Sequence, residues 1–405
     1  MTAPKTDKMY AYYEQQSILP TFARFTTIEQ LDRYDRQRSH IFSDKLHLPV
    51  QIFKGTRTVE FGPDSGENSL VFARWGANLT LVEPNPNARP QILAYFENFN
   101  LKDRLESLVE VDVAQFESQE KYDLIVAEGF IYTVRPESTW IELFSRILNE
   151  NGFCVINYYE STASFLELIL KVIHARTKAL TGLDSQENAW RLFQAKWNSI
   201  PHTRAFESWV MDVLNNPFVR YEYFLNASDL CCKLSSAGFS LYSSWPNYSD
   251  TLSIYWHKKE LSPEEHLANN LDFIARSSLS FAFGKKLFLF AQSPDEVKVV
   301  SDVVNRIVTS IDRLIDDFDA LTVQQVREDL HQIKKLLSEG DVLADSEAEK
   351  QDVIQLIVSI ERIFDLLSAG NVKDLTYFCN SDPVFIKNWG VQYHFSVFKK
   401  KPVSI

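Results

Sequence analysis

The sequence predicts an α/β fold followed by an α-helical bundle. Three observations carry that expectation. The stretch Thr58-Val-Glu-Phe-Gly-Pro-Asp-Ser-Gly66 reads as a strand, a glycine-bearing turn and a helix start. Strand and helix patterns then alternate over residues 56–160, which implies a parallel sheet. Beyond residue 297, apolar residues step by 3 and 4 through three successive segments, as the seams of an antiparallel bundle do.

Residues 1–55 precede the first core strand. Met9-Tyr-Ala-Tyr-Tyr13, Pro20-Thr-Phe-Ala-Arg24-Phe25 and Leu31-Asp-Arg-Tyr-Asp-Arg-Gln-Arg38 read as short, aromatic-rich helices. Two readings are open. The aromatics pack this segment onto the sheet, or the segment is a helical cover over a ligand, lined by Tyr12, Tyr13 and Arg24.

The first strand is Thr58 to Phe61, and the helix after the turn runs from Glu67 through Leu70, Val71, Phe72 and Trp75 to Gly76. Such a turn aims free backbone N–H groups at an anionic or polar ligand. A second strand, Asn78-Leu-Thr-Leu-Val-Glu83, ends in an acid 21 residues after Gly62 (83 − 62). That acid is placed to bond ribose hydroxyls. To this point a nicotinamide dinucleotide and an adenosyl nucleoside fit equally well. The glycines separate them. Dinucleotide sites carry G-x-G-x-x-G, whereas Gly62 and Gly66 are spaced G-x-x-x-G with Asp64 between them. A pyrophosphate would meet the Asp64 carboxylate. A ligand with an ammonium and a sulfonium tolerates it better.

Three further blocks follow: Leu108-Val-Glu-Val-Asp112-Val-Ala-Gln-Phe116, Tyr122-Asp-Leu-Ile-Val-Ala-Glu128-Gly-Phe-Ile-Tyr132 and Leu148-Asn-Glu-Asn-Gly-Phe-Cys-Val-Ile-Asn157. With the two before them, they resemble the class I S-adenosylmethionine-dependent methyltransferase family, motif by motif and in order, over about residues 55–260. The resemblance implies a Rossmann-like domain with S-adenosyl-L-methionine as cofactor. It places Glu60, Gly62, Pro63, Asp64 and Gly66 at the glycine loop, and Glu83 with Pro84 at the ribose. Asp112 and Val113 fall at the adenine, and Glu128 under the reacting methyl, with Tyr13 in the cover. Asp64 stands where the family's middle glycine is usual.

Composition agrees with a globular enzyme. The chain has 405 residues, 45% hydrophobic and 24% charged, with a formal net charge of −12. That balance disfavours a nucleic acid substrate, whose phosphates need clustered Lys and Arg. Cys154, Cys231, Cys232 and Cys379 show no metal-ligand spacing, so no metal is expected. No apolar run is long enough to span a membrane, and the polar N-terminus lacks a signal peptide, so residence in the cytoplasm is the default expectation.

After the fifth strand, residues 161–222 interrupt the alternation with helical segments, and this insertion is expected on the substrate side. The helical segment 227–238 leads to two strands, 239–245 and 251–257, expected as an antiparallel closing pair. The methyltransferase domain is therefore expected over residues 56–260 and the bundle over 261–405. Ser262-Pro-Glu-Glu265 and Ser293-Pro-Asp-Glu296 are strong helix starts. The bundle either stands alone or shares a seam across a homodimer. Residues 391–398 alternate in polarity and are expected to return as a strand to a sheet edge.

Methyl transfer to oxygen or nitrogen needs a group that takes a proton. His202, in the insertion beside Pro201 and Arg204, is the first candidate base and Glu128 the second. Glu160, at the end of strand five, is weaker, and His174 reads as a packed histidine in an apolar helix. Tyr132, Tyr159 and Arg24 are candidates to bind the acceptor. Asn215-Asn-Pro-Phe-Val-Arg220 and residues 239–245 look similar to methyltransferases encoded with bacterial surface-polysaccharide genes, which implies a small-molecule or carbohydrate-type acceptor. The alternative is a non-catalytic adenosyl-ligand-binding protein acting through its C-terminal helices. Glu83 and Asp112, together at the ligand edge, argue against it.

Overall fold

The structure is a computed structural model that describes residues 12, 25–201, 205–249, 261–289, 292–339, 342–344 and 347–402. The chain packs as two compact units. One holds the described residues of Met1–Tyr158, Ser228–Leu271 and His394–Ile405, and the other those of Tyr159–Ala227 and Asp272–Tyr393. These units cut across the boundary expected near residue 260.

The sheet of the first unit has seven strands, labelled in chain order. They are β1 (Arg57–Phe61), β2 (Asn78–Val82), β3 (Leu105–Val109), β4 (Tyr122–Glu128), β5 (Leu148–Tyr159), β6 (Phe239–Trp245) and β7 (Tyr393–Lys400). Their order is β3-β2-β1-β4-β5-β7-β6. Pairing from β3 through β5 is parallel, and β6 runs antiparallel to β7. The alternating βα pattern dictates this, because each helical crossover returns the chain to the same end of the sheet.

Two expectations change here. The strand expected to pair with residues 239–245, at 251–257, lies outside the described residues. The antiparallel partner of β6 is β7, from the end of the chain. β7 was expected at an edge, but it lies between β5 and β6. Its alternation had suggested a half-solvated strand. His394 to Phe398 are instead all buried, and the polar members His394 and Ser396 are hydrogen-bonded inside the unit.

Four helices flank the parallel half: α1 (Ile28–Ser39), α2 (Glu67–Arg74), α3 (Ala88–Asn98) and α4 (Ser138–Ile147). A reciprocal capping box between Thr27 and Gln30 starts α1. Its buried residues, Leu31 and Arg38, are seven apart, so they share one face. On that side of the sheet, Phe25, Leu31, Phe42, Phe53 and Phe72 form one core with Leu79, Leu81, Val126 and Val155. Phe53 stacks on Phe72 at 4.9 Å, and Phe42 meets both edge-on. Each such pair adds about 0.5–1.5 kcal/mol beyond its buried area. The described part of the N-terminal segment thus follows the packing reading. Residues 13–24 lie outside the described chain.

The second unit is helical. The helix Phe165–Thr181 from the insertion packs against Pro294–Asp316, which pairs with Ala320–Glu339, which packs on Glu347–Ser368. Ser293 and Glu296 form the expected capping box of the long helix. Arg220 fastens the insertion to that helix through Asp312 at 2.8 Å and Asp316 at 2.6 Å.

Candidate active site

In an open parallel sheet, ligands bind beyond the C-terminal ends of the strands. At the end of β1 the chain turns through Gly62 to Gly66. Gly62 has φ +63°, and a Cβ there would lie 2.6 Å from the Phe130 ring, so glycine is required twice over. Gly66 has φ +91° and opens α2. Asp64, the departure from the family pattern, has φ +52°. It keeps the left-handed backbone of the usual glycine, which Asp tolerates better than most residues.

The carboxylate at the end of β2 holds this loop. Glu83 Oε2 accepts from the Asp64 N–H at 3.0 Å, and Oε1 from the Asn85 N–H at 2.8 Å. Glu83 is buried, and burial pushes its carboxyl up to about 7 against the pull of those two bonds. Each oxygen keeps a lone pair for a further donor. After β3, Asp112 Oδ1 caps the turn Val113–Gln115 through the Ala114 N–H at 2.8 Å. Its Oδ2 is buried with no hydrogen-bond partner among the described residues. A buried carboxylate oxygen without a donor is costly, and a ligand N–H satisfies it.

At the end of β4, Glu128 meets Arg38 of α1 in a bidentate pair, with N–O distances of 2.9 and 2.5 Å. Arg38 is 5% exposed, and its guanidinium lies 5.1 Å from the Phe42 ring and 5.6 Å from the Phe72 ring. Burial opposes the guanidinium charge, and Glu128 more than offsets this, holding Arg38 above its ordinary value. Arg38 Nε is buried with no partner among the described residues. Glu60, at the end of β1, accepts from Ser69 Oγ at 2.5 Å. Burial pushes it up to about 8, against Ser69 and Arg38 and with help from Glu128 and Glu83. Glu67, at the start of α2, accepts from Ser65 Oγ at 2.5 Å and is also raised by burial.

Glu60, Gly62, Pro63, Asp64, Gly66, Glu83, Pro84, Asp112, Val113 and Glu128 thus all lie at the ends of β1 to β4 of one sheet or in the turns that follow. Tyr132 is buried in the turn Ile131–Thr133 after β4. Tyr13, Arg24 and His202 fall outside the described residues. Tyr159 belongs to the second unit, where it stacks on Phe224 at 5.3 Å and accepts from Tyr393 Oη at 2.8 Å. Glu160 is a loop anchor, since its oxygens accept from the Ala163 and Ala227 N–H groups at 2.8 and 3.3 Å. His174 is packed, as its apolar helix suggests. Asn188 Nδ2 donates to its Nδ1, so Nε2 donates to Ser185 Oγ at 2.9 Å, and burial lowers it to about 4.

Arg38 was absent from the sequence reading. Its signal was its spacing from Leu31, which turns it inward. Phe130, which lies over Gly62, had no local signal beyond its place after β4. Neither did the buried group Tyr158, Tyr248, His394 and Ser396, in which Tyr248 Oη lies 2.5 Å from His394 Nδ1.

The donor set suits an adenosyl sulfonium cofactor. Acids end β1, β2 and β4, Asp112 Oδ2 awaits a donor, and one buried arginine can answer a carboxylate. A family model described as a methyltransferase domain matches residues 34–244. The chain belongs to the class I S-adenosylmethionine-dependent methyltransferase family. The protein is a methyltransferase, and its cofactor is S-adenosyl-L-methionine.

Comparison by sequence with curated proteins found no match. Among solved structures, this methyltransferase is similar to the glycopeptide N-methyltransferase MtfA complexed with sinefungin. The identity is 15%, over 32% of this chain and 55% of that one, with a TM-score of 0.27. The chain thus spans about half the length of MtfA. It is also similar to the N-methyltransferase NodS from Bradyrhizobium japonicum WM9 with S-adenosylhomocysteine, at 17% identity over 37% and 74%, TM-score 0.27. A third is a putative sarcosine dimethylglycine methyltransferase from Galdieria sulphuraria, at 9% identity over 98% of each chain, TM-score 0.37. Among the described residues no helix is long and apolar enough to cross a membrane, and no group of three His, Cys, Asp or Glu could hold a metal ion.

Proposed function

We propose that this methyltransferase acts on an oxygen of a small-molecule or carbohydrate-type acceptor. The supporting observation is the set of strand-end acids around one buried arginine, a site charged for a sulfonium donor. When bound, the cofactor supplies an electrophilic methyl carbon. The protein orients the acceptor in line with it, excludes water and takes a proton.

The residues divide as follows. Glu83 is assigned to the ribose hydroxyls and Asp112 Oδ2 to the adenine amino group, with Val113 and Pro84 as apolar walls. Arg38 is assigned to the cofactor carboxylate, and Gly62, Pro63, Asp64 and Gly66 to the backbone cradle. Glu128 is assigned to hold Arg38, because both of its oxygens are already engaged. His202 remains the proposed base. Tyr132 is assigned to the acceptor side, together with Arg24 and Tyr13 from the cover. The carbohydrate preference rests on the stretch containing Arg220, whose guanidinium is engaged by Asp312 and Asp316. A small natural product is the nearest competitor.

The test is transfer of a radiolabelled methyl group to a panel of sugar, phenol and amine acceptors, using wild type and His202→Ala. The expected result is an oxygen-linked methyl product. The variant should lose turnover and the basic limb of its pH profile while keeping its affinity for S-adenosylhomocysteine. Transfer only to amines, or full turnover by His202→Ala, overturns the reading.

A further inference from the structure

The cofactor carries a sulfonium charge that its demethylated product lacks, so a protein can distinguish the two by charge. The first unit builds a wall suited to this. Glu60 pairs in register with Val126, two residues before Glu128, so both acids project from the same face of the sheet. The groups facing Glu60 are Ser69 and Glu67 from α2, Arg38 and Tyr34 from α1, Glu128 from β4 and Glu83 beyond β2. Four carboxylates thus surround a single cation, and Glu128 engages that cation with both oxygens. The only hydrogen bond given to Glu60 is a neutral one, from Ser69.

We propose that Glu60 discriminates the charged cofactor from its uncharged product: it stays protonated without a cation nearby and releases its proton when the sulfonium arrives. The balance is simple. The carboxyl O–H breaks, the proton goes to the buffer, and the carboxylate that remains faces the cofactor's charge. The uncharged product gives no such return, so Glu60 keeps or recovers its proton. Burial, which raises Glu60 to about 8, and the adjacent acids agree with this. The inference rests on the assignment of the cofactor to these strand ends.

The test is calorimetric titration of the full chain at neutral pH, in buffers of different ionisation enthalpy. The ligands are S-adenosylmethionine, S-adenosylhomocysteine and sinefungin, and the proteins are wild type, Glu60→Gln and Glu83→Gln. In wild type, the two positively charged ligands should release more protons than S-adenosylhomocysteine. Glu60→Gln should abolish that difference and reduce the preference for S-adenosylmethionine over S-adenosylhomocysteine about tenfold. Glu83→Gln should weaken all three ligands and keep the difference, which separates charge discrimination from damage to the pocket. Equal proton release by the charged and uncharged ligands in wild type, or an unchanged difference in Glu60→Gln, overturns the inference and leaves the cofactor assignment standing. Absence of binding by all three ligands to wild type overturns both.

Discussion

The Asp64 N–H donates to Glu83 Oε2 at 3.0 Å, joining the loop after β1 to the acid after β2. One carboxylate therefore does two things. It fixes the loop in its left-handed turn and still offers lone pairs at the ribose position. Asp64, the residue that breaks the family's glycine pattern, is the one whose amide it holds.

Loss of Glu83 should therefore be felt twice. Glu83→Ala should abolish micromolar binding of S-adenosylhomocysteine and also lower thermal stability, because two buried N–H groups lose their acceptor. Asp112→Ala should weaken binding about tenfold, the scale of one charge-assisted bond, with little effect on stability. Calorimetric titration and thermal melts on the same samples separate the two effects.

The contact between Gly62 and Phe130 gives a second prediction. Gly62→Ala combines φ +63° with a contact at 2.6 Å, and should destabilise by about 1–3 kcal/mol. Phe130→Ala in the same chain should recover part of that loss, read as a coupling energy in a double-mutant cycle. Asp64→Gly should be neutral or slightly stabilising, since glycine adopts φ +52° without strain.

Breaking the Arg38–Glu128 pair from one side leaves a buried charge. Arg38→Met should cost about 3–5 kcal/mol in chemical denaturation, and the double variant with Glu128→Gln less than the sum. Full stability of Arg38→Met would show that Glu128 reaches solvent or another donor.

Stability should also depend on pH in a direction set by Glu60 and Glu83. Their folded values, about 8 and about 7, lie above the ordinary carboxylate value of 4.5. The folded state then binds more protons than the unfolded one through that window. Stability without ligand should fall as pH rises from about 4.5 to about 8, and level off above it. Glu60→Gln should flatten most of the fall, measured as melting temperature against pH.

Much of the fold could be read locally. Glu83 was legible because its strand ends 21 residues after Gly62, and Asp112 because it closes the third strand of the series. Glycine placement, strand periodicity and helix caps are properties of neighbours in the chain, so they survive without any tertiary information. The pairing of the insertion with the bundle, through Arg220 and the helix Pro294–Asp316, was not legible, because each part alone is an ordinary amphipathic segment.

What the sequence alone determined is the cofactor end of this protein: the glycine loop, the acids at the ends of β1, β2 and β4, and the acid after β3. These follow from backbone conformation and spacing within one run of about a hundred residues. Only the tertiary structure decided that Arg38 faces Glu128, that Phe130 covers Gly62, and that residues 393–400 enter the sheet between β5 and β6. Those contacts join residues 68 to more than 200 positions apart. They are selected by the burial of charge and apolar surface across the whole unit, which no local pattern encodes.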